Sequence, residues 1–397
     1  MKPSLHRAII CSLLVAASAA VLGQLLRWTP PTWVGAKWFA SVPILFFARR
    51  TEARIWLLTG VIGAAVALWF RVIHHGTDVP WPVSMAFGLG SASILVAVAA
   101  AGAAADADRN AHWRTAAAIS LFPVKLYLGI LLLGATALLS PITYDGYLAA
   151  IDQSLGGNLS FTAGQFLLAN PPLRFAAFLA YDTLPIAVML AAALRWRRFG
   201  AGDQASIPLT AGVAAAIAVG LYLIVPAAGP LFVWGPLFPL HPPAVGSVTG
   251  LTAVDPQFWR NCMPSLHFTG ALIVLWGTWS LGRGARLFGV AFLVLTALAT
   301  LGTGQHYAVD LIVAVPYAIA IEMAVRRSPG WWRISAVGAG LTALWLVCMR
   351  IAPSLFLVPA ITWAFVGLTV AGLAAVAVRA DGSPLWIIRP RVTQIPA

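Results

Sequence analysis

A chain of 397 residues with 60% apolar and only 9% charged side chains is not an ordinary soluble domain, for which about a quarter charged is usual. Its net charge of +13 comes with no basic face interleaved with aromatics, which excludes a nucleic-acid partner. Cys11, Cys262 and Cys348 lie far apart without a CxxC, so no cysteine-based metal site or disulfide framework is expected.

Taken in order, the chain reads as twelve apolar spans, near 8–26, 32–48, 55–73, 83–105, 114–139, 173–194, 207–228, 264–282, 285–301, 305–325, 333–350 and 355–378. Lys2 and Arg7 ahead of the first span resemble a signal peptide, with Ala17-Ser-Ala19 as a cleavage site. The apolar run continues to Leu26, however, and is read as an uncleaved first helix. With the N-terminus inside, eighteen Lys/Arg fall in cytoplasmic segments and six outside, leaving Lys125 within a span. That bias sets the orientation, with both termini cytoplasmic. It also puts His267 and His306 on one extracytoplasmic face, because an even number of crossings separates them.

Two outer segments are long. Residues 140–172 contain Asp145 and Asp152 among apolar residues at helical spacing, and read as an amphipathic helix lying in the interface. Residues 229–263, preceded by Val225-Pro-Ala-Ala-Gly-Pro230, are rich in Pro and Gly and read as irregular backbone over a cavity or outside the bilayer. No internal repeat supports a two-halved transporter. Lys125 and Asp182 fall at similar depth, which suggests an ion pair between neighbouring helices. His74-His-Gly-Thr-Asp78 and His241 read as loop residues, and Ala97–Ala105 as close helix packing.

The chemistry concentrates between Arg260 and Asp310. Pro264-Ser-Leu-His267 suits a helix start, with Pro264 in the first turn and Ser265 and His267 near N–H groups that attract anions. In Gly304-Gln-His306-Tyr-Ala-Val-Asp310, a helical spacing of four puts His306 and Asp310 on one face. Ionisable groups beside apolar spans are costly and usually functional. Backbone N–H groups around Gly302–Gly304 are candidates to receive charge from phosphoryl oxygens.

These two motifs resemble the second and third signatures of the type 2 phosphatidic acid phosphatase superfamily. The Val225–Pro230 run and the Asp145…Asp152 segment resemble its inositol phosphorylceramide synthase branch. The resemblance covers about residues 114–327. It implies a six-span catalytic core in an all-α integral membrane protein of about twelve transmembrane helices. A four-span region (1–113) and two further spans with a tail (328–397) flank that core. It further implies double displacement without metal or cofactor: His306 as nucleophile, Asp310 holding its other ring nitrogen, and His267 as acid and then base. Arg260, Ser265, Gly304 and Gln305 are the expected substrate contacts. The expected partners are a lipid-linked phosphoester and an alcohol or water acceptor, in a bacterial inner membrane with the site facing the periplasm.

Two departures qualify the resemblance. No KxxxxxxRP motif occurs, and Thr300 stands where the phosphatases carry arginine. The missing cations favour head-group transfer from a phosphodiester over a phosphatase using water. The competing readings are a metal enzyme, with two histidines and a carboxylate as ligands, and a transporter using Lys125 and Asp182.

Overall fold

The computed structural model describes residues 33–48, 53–74, 79–200, 206–247, 249–327 and 330–376. The span expected at 8–26, with its signal-peptide alternative, therefore lies outside the described residues, as do His75–Asp78 and the C-terminal tail. The helices are α1 (Trp33–Ala48), α2 (Ala53–Ile73), α3 (Trp81–Ala103), α4 (Asp106–Leu139), α5 (Asp145–Ser154), α6 (Leu159–Ala169), α7 (Pro171–Asp182) and α8 (Leu184–Phe199). They continue with α9 (Ser206–Tyr222), α10 (Pro230–Trp234), α11 (Leu266–Trp279), α12 (Arg283–Gly302), α13 (Ala308–Arg326), α14 (Trp331–Ile351) and α15 (Pro359–Val376). Among the described residues one two-residue ladder, Ile142–Thr143 with Thr252–Ala253, accompanies the helices.

Every expected span within the described residues coincides with helix, because long uncharged runs must satisfy their backbone internally. The sixth is not one rod: it breaks at Thr183 between α7 and α8. Seven described helices are long and apolar enough to cross a membrane, or eight if α7 and α8 form one span, which fits an integral membrane protein. Residues 35–48 of α1, together with α6, α9 and α11, are apolar but shorter. At 14 residues α11 reaches roughly 21 Å, below the ~30 Å of a bilayer core. The shortfall arises because the chain enters α11 through irregular backbone.

The described chain forms two compact units, one comprising residues up to 127 with 185–209, the other 128–184 with 210–376. This division differs from the sequence-based partition at 113 and 327. In the first unit, α1 and α2 close on α3 through small residues: Gly88 lies against Gly63 and Ala67, and Gly90 against the Phe39 backbone. Phe39, Phe70 and Phe87 stack around them. Ala97 and Ala101 are buried, in line with the packing expected of that run. Lys125 Nζ lies over the rings of Trp38 and Phe122, at 5.2 and 5.9 Å.

In the second unit, one apolar cluster joins α5, the Val225–Ala227 run, Cys262, Met263 and the start of α13 to Trp345, Leu346, Met349 and Phe356. The spans after residue 330 thus share a core with the motif region. Gly338 of α14 faces the Pro316 carbonyl of α13 so closely that a Cβ would stand 2.6 Å from it.

Candidate active site

The segment Asp145–Ser154 is a helix, but it does not lie in an interface. Asp145, Gly146, Leu148, Ala149, Ala150, Ile151 and Asp152 are all buried. Two carboxylates can be buried here because distant backbone N–H groups satisfy them. Asp145 accepts from Ala228 N at 2.9 Å, Gly229 N at 2.8 Å and the Tyr307 hydroxyl at 2.9 Å. Asp152 accepts from Ala308 N at 3.0 Å and Val309 N at 3.3 Å, the first N–H groups of α13. An acidic side chain there complements both the orphan donors and the helix dipole. Burial pushes the Asp152 carboxyl up to about 8; the charge of Asp310 adds to the rise, while the bonds from Ala308, Val309 and Ser160 oppose it.

The Val225–Pro230 run forms the floor beneath the second histidine motif. Gly229 has φ 108°, and a Cβ there would stand 2.5 Å from the Gln305 carbonyl oxygen and 2.8 Å from that of Gly304. Leu231 N donates to Gly304 O at 2.8 Å, and Cys262 N to Ala227 O at 3.3 Å. Both the left-handed backbone and the close approach require glycine. Gly229→Ala is therefore expected to lower stability by about 2–4 kcal/mol. A thermal-melt series on the purified variant checks this, and an unchanged melting temperature would contradict it.

His306 and Asp310 meet, though not as neighbours on one helical face. Helix α13 begins only at Ala308, so His306 lies ahead of it on non-helical backbone. Asp310, in the first turn, reaches back: its Oδ2 accepts from Tyr307 N at 2.8 Å and lies 3.3 Å from His306 Nδ1. Both side chains are buried, at 2% and 0% exposure. Ser160 Oγ lies 2.8 Å from His306 O and 3.4 Å from Asp152 Oδ2.

The other motif adjoins this one. Ser265 N donates to Asp310 O at 3.4 Å, and Cys262 Sγ lies 3.3 Å from Gln305 O. Ser265 is the N-cap of α11, its hydroxyl accepting from Phe268 N, so Pro264 stands just before the helix rather than in its first turn. His267 falls in that first turn, its ring stacked on Tyr181 of α7 with centroids 3.8 Å apart and planes 13° from parallel. A helix N-terminus is the usual anion-attracting arrangement, and this one starts at Leu266.

Two expectations change. Arg260 is buried and donates to the carbonyls of Ser140 (2.8 Å), Val254 (2.7 Å), Asp255 (3.3 Å) and Phe258. It braces its own loop, because a buried guanidinium needs several acceptors at once. The N–H groups of Thr303 and Gly304 close the C-terminal turn of α12 on Ala299 and Leu301, which removes them as phosphoryl donors. The hydroxyl of Thr300, the residue that stands at the phosphatases' arginine position, donates to Thr296 O at 2.6 Å. Gly304, at φ 71°, packs against Leu231 and Phe238, and the Gln305 backbone faces Gly229 and Cys262.

Sequence reasoning passed over Ser160 and Tyr181, and gave Cys262 no part in the site. The Asp-x7-Ser spacing and a cysteine two residues before Pro264 offered no signal above chance. The sulfur of Cys262, a ring nitrogen of His306 and a carboxylate oxygen of Asp310 lie within 4.8 Å of one another.

The two histidine motifs thus stand side by side at helix starts in a largely helical, membrane-type chain. Residues 146–324 match the family model of the PAP2 superfamily, from α5 to the end of α13. That match supports the type 2 phosphatidic acid phosphatase superfamily, and with it phosphoesterase or phosphotransferase activity on lipid-like substrates. Comparisons with curated proteins and with solved structures returned no match.

Proposed function

We propose that this protein is an integral membrane lipid phosphotransferase of the inositol phosphorylceramide synthase kind, moving a head group from a lipid-linked phosphoester to an alcohol. The observation that carries the reading is the buried His306–Asp310 contact directly beside the N-terminus of α11. Asp310 keeps Nδ1 of His306 engaged, so Nε2 is left to attack phosphorus and form a phosphohistidine. The carboxylate stabilises the imidazolium that results. His267 protonates the leaving oxygen and then takes the proton of the acceptor hydroxyl, work suited to a group titrating near neutrality. Its stacking on Tyr181 fixes the plane of the ring.

Transfer is favoured over hydrolysis by what surrounds the site. Thr300 and Arg260 have their donors committed to backbone carbonyls, so neither supplies a fixed cation to a phosphate dianion. A phosphodiester donor carries one negative charge fewer and needs less neutralisation. By the Lys/Arg bias, the site faces the extracytoplasmic side, in a bacterial inner membrane the periplasm.

The test supplies radiolabelled phospholipids and candidate alcohols to the protein in proteoliposomes. Transfer predicts a new labelled lipid that depends on the alcohol, together with an acid-labile, base-stable labelled protein adduct. Label released only to water would make the protein a phosphatase, and no adduct under single-turnover conditions would remove the covalent step.

A further inference from the structure

Cys262, His306 and Asp310 invite a second chemistry. Their sulfur, nitrogen and oxygen atoms lie within 4.8 Å of one another, and all three side chains are buried. Asp310 uses Oδ2 on Tyr307 N and His306, whereas its Oδ1 is buried with no hydrogen-bond partner. A buried carboxylate oxygen without a donor is an open acceptor beside a free thiol. Tetrahedral zinc, with bonds of roughly 2.0–2.3 Å, requires ligand atoms about 3.5 Å apart. Side-chain adjustments of about an ångström would therefore close this trio on such an ion.

We propose that Cys262, His306 and Asp310 form an inhibitory site for a thiophilic divalent cation such as Zn2+. The donor set selects the ion: a sulfur and an imidazole nitrogen suit zinc, whereas Mg2+ and Ca2+ require oxygen. Occupancy stops phosphoryl transfer whichever ring nitrogen binds. Ligation through Nε2 consumes the attacking lone pair, and ligation through Nδ1 breaks the contact with Asp310. The same residues thus act without metal and are silenced by one. The inhibitory effect rests on the proposed covalent role of His306; the binding itself does not.

The test uses tag-free protein in detergent and two readouts. Competition with a chromophoric chelator is expected to show one Zn2+ bound per chain, with no binding of Mg2+. Cys262→Ala, which removes only a ligand, should weaken that binding by about tenfold or more. In the transfer assay, Zn2+ should inhibit the wild type reversibly on chelation, and Cys262→Ala should keep its basal turnover and lose the sensitivity. Equal Zn2+ binding by wild type and Cys262→Ala would overturn the proposal. An inactive protein that still binds zinc through Cys262 would refute the phosphotransferase reading and leave the metal site standing.

Discussion

Replacing His306 with alanine is expected to reduce turnover by about 10^4-fold or more while leaving the fold intact, as for other nucleophiles acting within a unit. The expectation of an intact fold follows from Asp310. Its Oδ2 still accepts from Tyr307 N at 2.8 Å once the imidazole is gone, so no buried carboxylate is stranded. His267→Ala should lose less, about 10^2- to 10^4-fold, because it removes acid–base assistance rather than the bond-forming atom. The two variants should also separate in a trapping experiment. His306→Ala forms no phosphoprotein, whereas His267→Ala forms it slowly. A fully active His306→Ala protein would overturn the covalent mechanism.

The second large effect concerns Asp152. Ser160 has one hydroxyl hydrogen, and the short contact to His306 O at 2.8 Å claims it. The contact of the same hydroxyl to Asp152 Oδ2 at 3.4 Å is then only a weak second branch. Burial raises the carboxyl to about 8 from an ordinary 3.8. A carboxyl raised on folding lends stability that is complete below the ordinary value and is lost as pH climbs through about 8. Asp152→Ala strands the N–H groups of Ala308 and Val309 and should cost roughly 2–6 kcal/mol, at about 1–3 for each. Asp152→Asn retains an acceptor and a donor that no pH change removes. It is expected to stay folded and to lose the decline in stability that wild type shows as pH rises from about 4 to about 8. Thermal melts of wild type and Asp152→Asn from about pH 4 to 9 decide the matter, and parallel curves would refute the raised Asp152 carboxyl.

The helices were legible in the sequence because apolar length alone dictates them once water is absent. The pairing of His306 with Asp310 was legible from spacing, but the reason was not. Four residues suggested a shared helical face, whereas the contact arises from a first-turn carboxylate folding back over the N-cap. Asp145 and Asp152 were misread for one common cause. Charged residues in a segment outside the spans look solvated, and nothing local reveals that Gly229 or Ala308 will arrive to bury them. Their satisfaction is non-local, as the separation of 156 residues between Asp152 and Ala308 illustrates. Cys262 was missed because a lone thiol has no pattern until its neighbours are known.

The packing of α13 against α14 carries a consequence for how this chain can be cut. The family match stops at residue 324, yet Trp345, Met349 and Phe356 belong to the same apolar cluster as Tyr307 and Val309. Ser154 and Tyr144 also donate to the carbonyls of Phe356 and Arg350. The stretch that looks like its relatives is therefore shorter than the stretch that holds the histidines in register. An expression fragment ended at the edge of the resemblance would discard part of the apolar core behind Tyr307 and Val309, and a graft would need to carry that part with it.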